Sequence, residues 1–253
     1  MSSSTSPATI AYFSMEIALE TALPTYSGGR GVLAGDTIRS AADLGAPLVA
    51  VTLLHRKGYF VQHLDGSGRQ SESAVEWQPE QVLEPLQPRV TVQIEGRTVH
   101  VRAWQYLVRG VSGQTVPVFL LDTALPENAP QDQGLTDTLY GGDNEYRLRQ
   151  EVVLGMGGAA MVRALGYDGD VIHHINEGHA SLLTLCLLEK QREGQWSGEV
   201  SEADVAAVRR QCVFTTHTPV PAGHDKFPLD MARRVLGDDR VNLLQRAGAL
   251  EGE

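Results

Sequence analysis

Helical spacing and strand alternation of apolar residues take turns along this sequence, and each change of period marks an element. "TIAYFSM" at 9–15 opens as a strand. From Gly29 to Leu44, the residues Ala34, Ile38, Ala41 and Ala42 recur at the spacing of one helical face. Gly45 and Pro47 stop that helix, and "LVAVTLL" at 48–54 is apolar without alternation, as in a strand covered on both faces. Strand, glycine-rich turn, helix and buried strand form a βαβ unit.

The middle of the chain changes character. "GYFVQHL", "RVTVQIEG", "RTVHVRAWQYLV" and "TVPVFLLD" alternate between short turns at Gly66, Gly68, Gly96 and Gly113, which predicts an antiparallel insertion at about 58–122 against one edge of the main sheet. "TALPENAPQDQGLTD" is Pro-rich and polar, hence a loop. Helical spacing returns at 147–165, where Val152, Met156, Ala159 and Ala160 share a face. "DVIHHI" predicts a strand, followed by a buried helix over "NEGHASLLTLCLLEKQ" with Asn176 as its cap. "QREGQWSGEVS" reads as a linker, Ser201 and Asp204 form a capping pattern, and "CVFTTHT" predicts a last strand. The fold class is α/β, a Rossmann-like parallel sheet with helices on both faces plus an antiparallel strand insertion.

Composition narrows the function. With 42% apolar residues among 253, the chain can build a substantial core. Its formal net charge of −10, with no basic run longer than two residues, argues against nucleic acid and anionic membranes as partners. A phosphate-bearing ligand would need backbone amides or a few placed arginines, since only Lys57, Lys190 and Lys226 are lysines. Cys186 and Cys212 have no metal or redox spacing and read as reduced thiols of a cytoplasmic protein.

Three stretches carry chemistry. Gly28 and Gly29 stand at the mouth of the first helix, where free N–H groups and the helix dipole favour an anion, although a packing corner explains glycines equally well. In "LYGGDNEYRLRQE" at 139–151, the charges at Glu145, Arg147, Arg149 and Glu151 read as a salt-laced helix start, while Asp143 and Asn144 stand on a loop suited to binding hydroxyls. "HHINEGH" and "FTTHTPVPAGHD" place His174, Asn176, Glu177, His179, His217, His224 and Asp225 near the carboxyl ends of strands. Their spacing, without an HExxH motif, speaks against a metal site.

Taken in order, "IAYFSMEIAL", "PTYSGG-GVLAGDTIRSAADLG", "HRKGYFVQ", "VPVFLLDT-LPEN", "LYGGDNEYRLRQE", "INEGH" and "TTHTPVPAGHD" resemble the amino-terminal half of the α-glucan (glycogen/maltodextrin) phosphorylase family. The resemblance spans residues 10 to 230 and implies the amino-terminal domain of a two-domain GT-B fold. The family reaction is reversible phosphorolysis of a terminal α-1,4-glucosidic bond to glucose 1-phosphate, a hexosyl transfer assisted by the phosphate of pyridoxal 5′-phosphate. By the same resemblance, Gly28 and Gly29 present amides to phosphate, and Asn144 and His217 are the catalytic contacts to the glucosyl unit. Asp143, Glu177 and His179 are further substrate-binding positions.

The partners implied are α-1,4-glucan, inorganic phosphate and a carboxy-terminal cofactor-binding domain that supplies the cofactor lysine, with room for a homo-oligomer. The chain thus reads as an incomplete amino-terminal domain over 1–253, inactive alone. It departs from the family at Arg30, where leucine is usual. A sugar-nucleotide-dependent glucan synthase is the alternative enzyme, but it usually carries a lysine ahead of the glycines, where this chain has Ser27. A non-catalytic glucan-binding half is the third reading.

Overall fold

The computed structural model describes residues 8–192, 194, 199–217 and 225–249. Its first unit is the βαβ predicted from the pattern: β1 (Thr9–Phe13), α1 (Gly29–Leu44) and β2 (Leu48–Leu53), with β1 and β2 parallel. Gly45 ends α1 in the left-handed region at φ 64°, returning its N–H to the carbonyls of Ala41 and Ala42. All six residues of β2 are buried because both faces of the strand are covered. Val49, Val51 and Leu53 point into one core, and Leu48 and Ala50 into the other.

A small antiparallel hairpin, β3 (Val61–Leu64) with β4 (Gln70–Ser73), stands apart from the main sheet. β5 (Glu84–Ile94), β6 (Arg97–Arg109) and β7 (Thr115–Asp122) are antiparallel to one another, and β7 then runs parallel beside β2. Glu95 and Gly96, at φ 53° and 73°, make the two-residue turn between β5 and β6 that matches strand twist. The antiparallel strands therefore extend the main sheet. With β8 (Val171–Asn176) and β9 (Cys212–Thr215) its order is β5-β6-β7-β2-β1-β8-β9 among the described residues.

Over 123–137, the polar loop turns out to be packed. It contains the short helix α2 (Pro130–Gln133), and Leu125, Asn128, Asp132, Leu135 and Thr136 are buried. The Asn128 side chain donates to the carbonyls of His100 and Thr123, and Arg97 pairs with Asp132, so polarity here serves the interior.

The helix predicted at 147–165 is interrupted. α3 (Asn144–Glu151) passes into a π-helical segment over Val152–Gly157 and then α4 (Gly158–Ala164). The i→i+5 pattern shifts the faces of later residues, so the whole segment 152–157 is buried while Ala160 is only half-buried. Asn176 also departs from expectation. It ends β8 rather than capping a helix, a short 3-10 turn follows over Gly178–Ala180, and α5 begins at Leu183 and runs to Gln191.

Ser201 and Asp204 do form a reciprocal capping box at the start of α6 (Glu202–Arg209). The amphipathic pair α7 (Leu229–Leu236) and α8 (Asp238–Arg246) closes the described chain. One core lies between the sheet and α1; the other lies under α3, the π segment, α4 and α5. Cys186 and Cys212 are free and half-buried, and burial pushes both thiols up to about 11. No helix of the described residues is long and apolar enough to cross a membrane.

Candidate functional site

After β1 the chain crosses to β2 on one side, and after β8 it crosses to β9 on the other. The strand order thus reverses between β1 and β8, and in open α/β sheets the crevice beyond the strand ends at such a point is where ligands bind. The segments following β1, β8 and β9, together with the mouth of α1, form a polar rim there.

The glycine stretch at this rim divides into two kinds of position. A Cβ at Gly31 would come within 2.5 Å of Tyr26 Cβ, and one at Gly35 within 1.9 Å of the Ala18 carbonyl oxygen. These two glycines are packing corners. At Gly28 and Gly29 a Cβ would meet nothing within 4 Å, and both residues are exposed. Gly28 is extended at φ −162°, a conformation open to any residue. Neither packing nor backbone strain accounts for this pair.

Glu16, three residues beyond β1, faces the helix mouth from a buried position. Its Oε2 accepts from the Ser27 amide at 2.8 Å and the Gly28 amide at 3.2 Å, and its Oε1 accepts from the Tyr140 hydroxyl at 2.9 Å. A carboxylate is favoured there by the first-turn N–H groups. Of the two amides expected to face an anion, that of Gly28 is engaged by Glu16. The amides of Gly29 and Arg30 have no hydrogen-bond partner among the described residues.

Arg30 is drawn inward rather than left as a free surface charge. Its Nη1 donates to Tyr140 Oη at 3.3 Å and lies 3.3 Å from His179 Nε2. Guanidinium only donates, so His179 accepts through Nε2 and carries its proton on Nδ1. That Nδ1 is buried and has no partner among the described residues. Burial, and then the Arg30 charge, hold the His179 imidazole well below its ordinary pKa, with Asp225 opposing, so it is neutral at physiological pH.

Arg147, one turn into α3, lies 5.4 Å from the centre of the Tyr140 ring and pairs with Asp225. Asp225 also approaches His179 Nε2, at 3.6 Å. Glu151 is buried beside it, not exposed as in a salt-laced surface helix. Desolvation, reinforced by the Asp225 carboxylate, raises its pKa well above the ordinary range, so it holds a proton. Glu151, His179 and Asp225 line a cavity of about 160 Å³ with Leu148, Leu182 and Phe227. Only Glu145 and Arg149 behave as the local helical pair expected of that stretch, and Arg149 also reaches Glu95.

On the other side of the rim, Asn176 Nδ2 donates to Ser14 Oγ at 3.1 Å, and Asn176 Oδ1 lies 3.1 Å from His217 Nε2. Glu177 is fully buried, and its carboxylate accepts from the His217 amide at 2.9 Å and the Thr216 hydroxyl at 3.3 Å. Its backbone sits at φ 62°, ψ −176°, a region that side chains other than glycine's rarely enter and that costs about 1–3 kcal/mol. Among the described residues four non-glycines have positive φ, and two of them, Tyr140 and Glu177, lie at this rim. Such strain collects at binding and catalytic sites.

The structure thus brings Gly28, Gly29, Glu177, His179 and His217 to one rim. Asp143 and Asn144 are exposed at the start of α3. The Asp143 carboxylate caps that helix by accepting from the Tyr146 amide at 2.8 Å. Their side chains make no hydrogen bond to Arg30, His179 or His217 among the described residues. His174 is spent on Thr215 Oγ1, and His224 lies outside the described residues. Among the described residues no group of three or more His, Cys, Asp or Glu could hold a metal ion. Sequence reasoning passed over Glu16 and Tyr140; the one available signal was an acid, the single charged residue in the mostly apolar run from Ile10 to Leu19.

No family model matches the chain. It is 42% identical over 229 residues to the maltodextrin phosphorylase of Thermococcus litoralis, covering 87% of this chain and 26% of that protein. It is 40% identical over 249 residues to the glycogen phosphorylase of Mycobacterium tuberculosis, covering 92% and 28% respectively. With the glycogen phosphorylase of Aquifex aeolicus the identity is 32% over 233 residues, 88% of this chain and 32% of that protein. The chain therefore spans about a quarter to a third of the length of these three relatives.

Proposed function

The chain being a relative of maltodextrin and glycogen phosphorylases, we propose that it contributes the glucan- and phosphate-facing wall of an α-glucan phosphorylase. The reaction is transfer of a terminal α-1,4-linked glucosyl unit to inorganic phosphate, and reversibly back. The observation that carries this reading is the open pair Gly28–Gly29 at the switch point, a place where glycine makes room for something outside the chain.

In this reading the Gly29 and Arg30 amides hold a phosphate oxygen at the mouth of α1. Fixed N–H groups stabilise such charge without reorganising, and losing one oxyanion donor typically costs about 3–4 kcal/mol in the transition state. The Arg30 guanidinium, held by Tyr140 and His179, adds positive charge beside them, and neutral His179 leaves that charge uncontested. His217, positioned through its own amide by Glu177 and through its ring by Asn176, faces the glucosyl unit. Asn144 and Asp143 take part by binding glucosyl hydroxyls from the amino-terminal end of α3.

Pyridoxal phosphate, when bound, would supply a phosphate group as proton partner to the substrate phosphate. The open first-turn amides suit the phosphate end of that cofactor. Its covalent anchorage does not fit this chain: Lys57, Lys190 and Lys226 are all exposed, and Lys57 pairs with Asp137, whereas a Schiff-base lysine is activated by desolvation. The anchoring lysine is accordingly assigned to sequence outside these 253 residues, and the chain by itself is expected to be inactive.

A chimera tests the proposal. This chain replaces the matching segment of the Thermococcus litoralis enzyme, and glucose 1-phosphate is measured with maltoheptaose and phosphate. The chimera is expected to turn over, and His217→Ala to lower turnover at least about tenfold with its melting temperature unchanged. A folded, cofactor-loaded chimera that releases no glucose 1-phosphate would contradict the proposal.

A further inference from the structure

Beyond the rim, a groove of about 590 Å³ opens between the segment Thr21–Ser27 and the residues flanking the β3–β4 hairpin. That volume is within the roughly 300–1,000 Å³ of small-molecule sites. Tyr26, Tyr59, Phe60 and Trp77 line it, with Ser27 and Gln62 among its polar groups. Tyr26 and Tyr59 are 39% and 44% exposed, which leaves ring surface open to the groove.

Three features tell what the groove would take. Glu76 is the single charged residue among the described residues of its lining, so the groove offers no positive charge to a phosphate and suits a neutral ligand. Its lining combines aromatic rings with hydroxyl and amide groups, matching a sugar, whose C–H faces are apolar and whose edges are hydroxylated. It is also built in advance. The Trp77 indole donates to the His55 carbonyl at 3.2 Å, and the Tyr59 and Phe60 rings lie 4.3 Å apart. Gly58, at φ 56°, packs so closely on Pro24 and Val75 that a Cβ would sit 3.0 Å from each. A preformed wall lowers the ordering cost of binding.

The groove is continuous with the rim. Ser27 lines it and at the same time donates its amide to Glu16, one residue before the open glycine pair. We propose that this groove is a glucan subsite, in which sugar rings of an α-1,4-glucan lie against Tyr26 and Tyr59 while the chain passes Ser27 toward the glycine turn. This rests on the phosphorylase reading and extends it from the bond that is cut to the length of glucan that is held.

The test is a titration of maltoheptaose into the full 253-residue chain, followed by amide chemical shifts, beside a separate titration with inorganic phosphate. Saturable shifts are expected at Tyr59, Phe60 and Gln62. Tyr59→Ala should weaken glucan binding roughly five- to tenfold, and Tyr59→Phe should restore it, both leaving the phosphate response at Gly29 unchanged. Glucan binding that ignores Tyr59→Ala overturns the inference, as does concentration-dependent self-association abolished by Tyr59→Ala, which would assign the groove to a second copy of the chain. Phosphate shifts at Gly29 with no glucan shifts in the groove would sink this subsite alone. Loss of both responses in a folded chain would sink the phosphorylase reading with it.

Discussion

Two polar networks in this molecule use similar residues to opposite ends. At the antiparallel side of the sheet, fully buried Asp122 accepts from Arg56, Arg102, the Trp104 indole and the Ala124 amide. Burial alone would raise its pKa, but hydrogen bonds from Arg56 and Trp104 more than offset that and leave it below the ordinary range. At the rim beyond β1 and β8, Arg30, Tyr140, His179 and Glu16 are equally interlocked, yet among the described residues the Gly29 and Arg30 amides and His179 Nδ1 find no partner. A satisfied network holds a fold together. The unsatisfied one, at the switch point, is where we propose that an anion binds.

Breaking the satisfied network should cost most. Asp122→Ala leaves two arginines facing a buried gap and should destabilise by about 3–5 kcal/mol in chemical denaturation. The sign of the pH dependence follows from the depressed pKa. The Asp122 contribution is present above the unfolded carboxylate value near 3.9 and is lost as pH falls through its lower folded value. Asp122→Ala should therefore flatten the acid limb of the stability profile.

Next in size is the contrast inside the glycine stretch. Gly35→Ala drives a methyl into the Ala18 carbonyl and should cost about 1–3 kcal/mol or more, since backbone cannot step aside as a side chain does. Gly29→Ala meets open space in the first turn of a helix and should change stability by no more than about 1 kcal/mol, in the stabilising direction. In the chimera the order should reverse for turnover, with Gly29→Ala the more damaging to phosphate use. Equal losses of stability at the two positions would erase the distinction between them.

Glu151 gives the smallest effect and the opposite pH slope. Its folded pKa is raised, so the folded state holds a proton that the unfolded chain releases. Its contribution is complete below the unfolded value near 4.3 and declines as pH rises through the folded one. Glu151→Gln keeps a donor toward Asp225 without that titration, and melting temperatures measured at pH 5 and pH 8 should converge relative to the parent. A parent that gains stability from pH 5 to 8 through this residue would contradict the buried, protonated assignment.

Much of the fold was legible because its signals are local. The apolar face of α1, the unbroken apolar run of β2, the alternation of β5 to β7 and the Ser201–Asp204 box each depend on residues a few positions apart. The rim was legible only in part. The resemblance singled out Gly28, Gly29, Glu177, His179 and His217, but Glu16 meets Tyr140 across 124 residues and Arg147 meets Asp225 across 78. No spacing rule reaches that far. Asn176 was misread for a related reason: an asparagine before a helical pattern is a good cap, but its amide and carbonyl are already committed to Ser14 and His217 at the end of β8. The buried loop at 123–137 hid its role because its polar side chains bond inward, to Arg97, to His100 and to its own Thr123.

The most direct test of the contrast is a phosphate titration of the 253-residue chain, read residue by residue through amide chemical shifts. Saturable shifts are predicted at Gly29 and Arg30, weakened by Arg30→Leu, with the amides around Arg56, Arg97 and Arg102 unmoved. Shifts that centre on those three arginines and spare the glycine turn would contradict it.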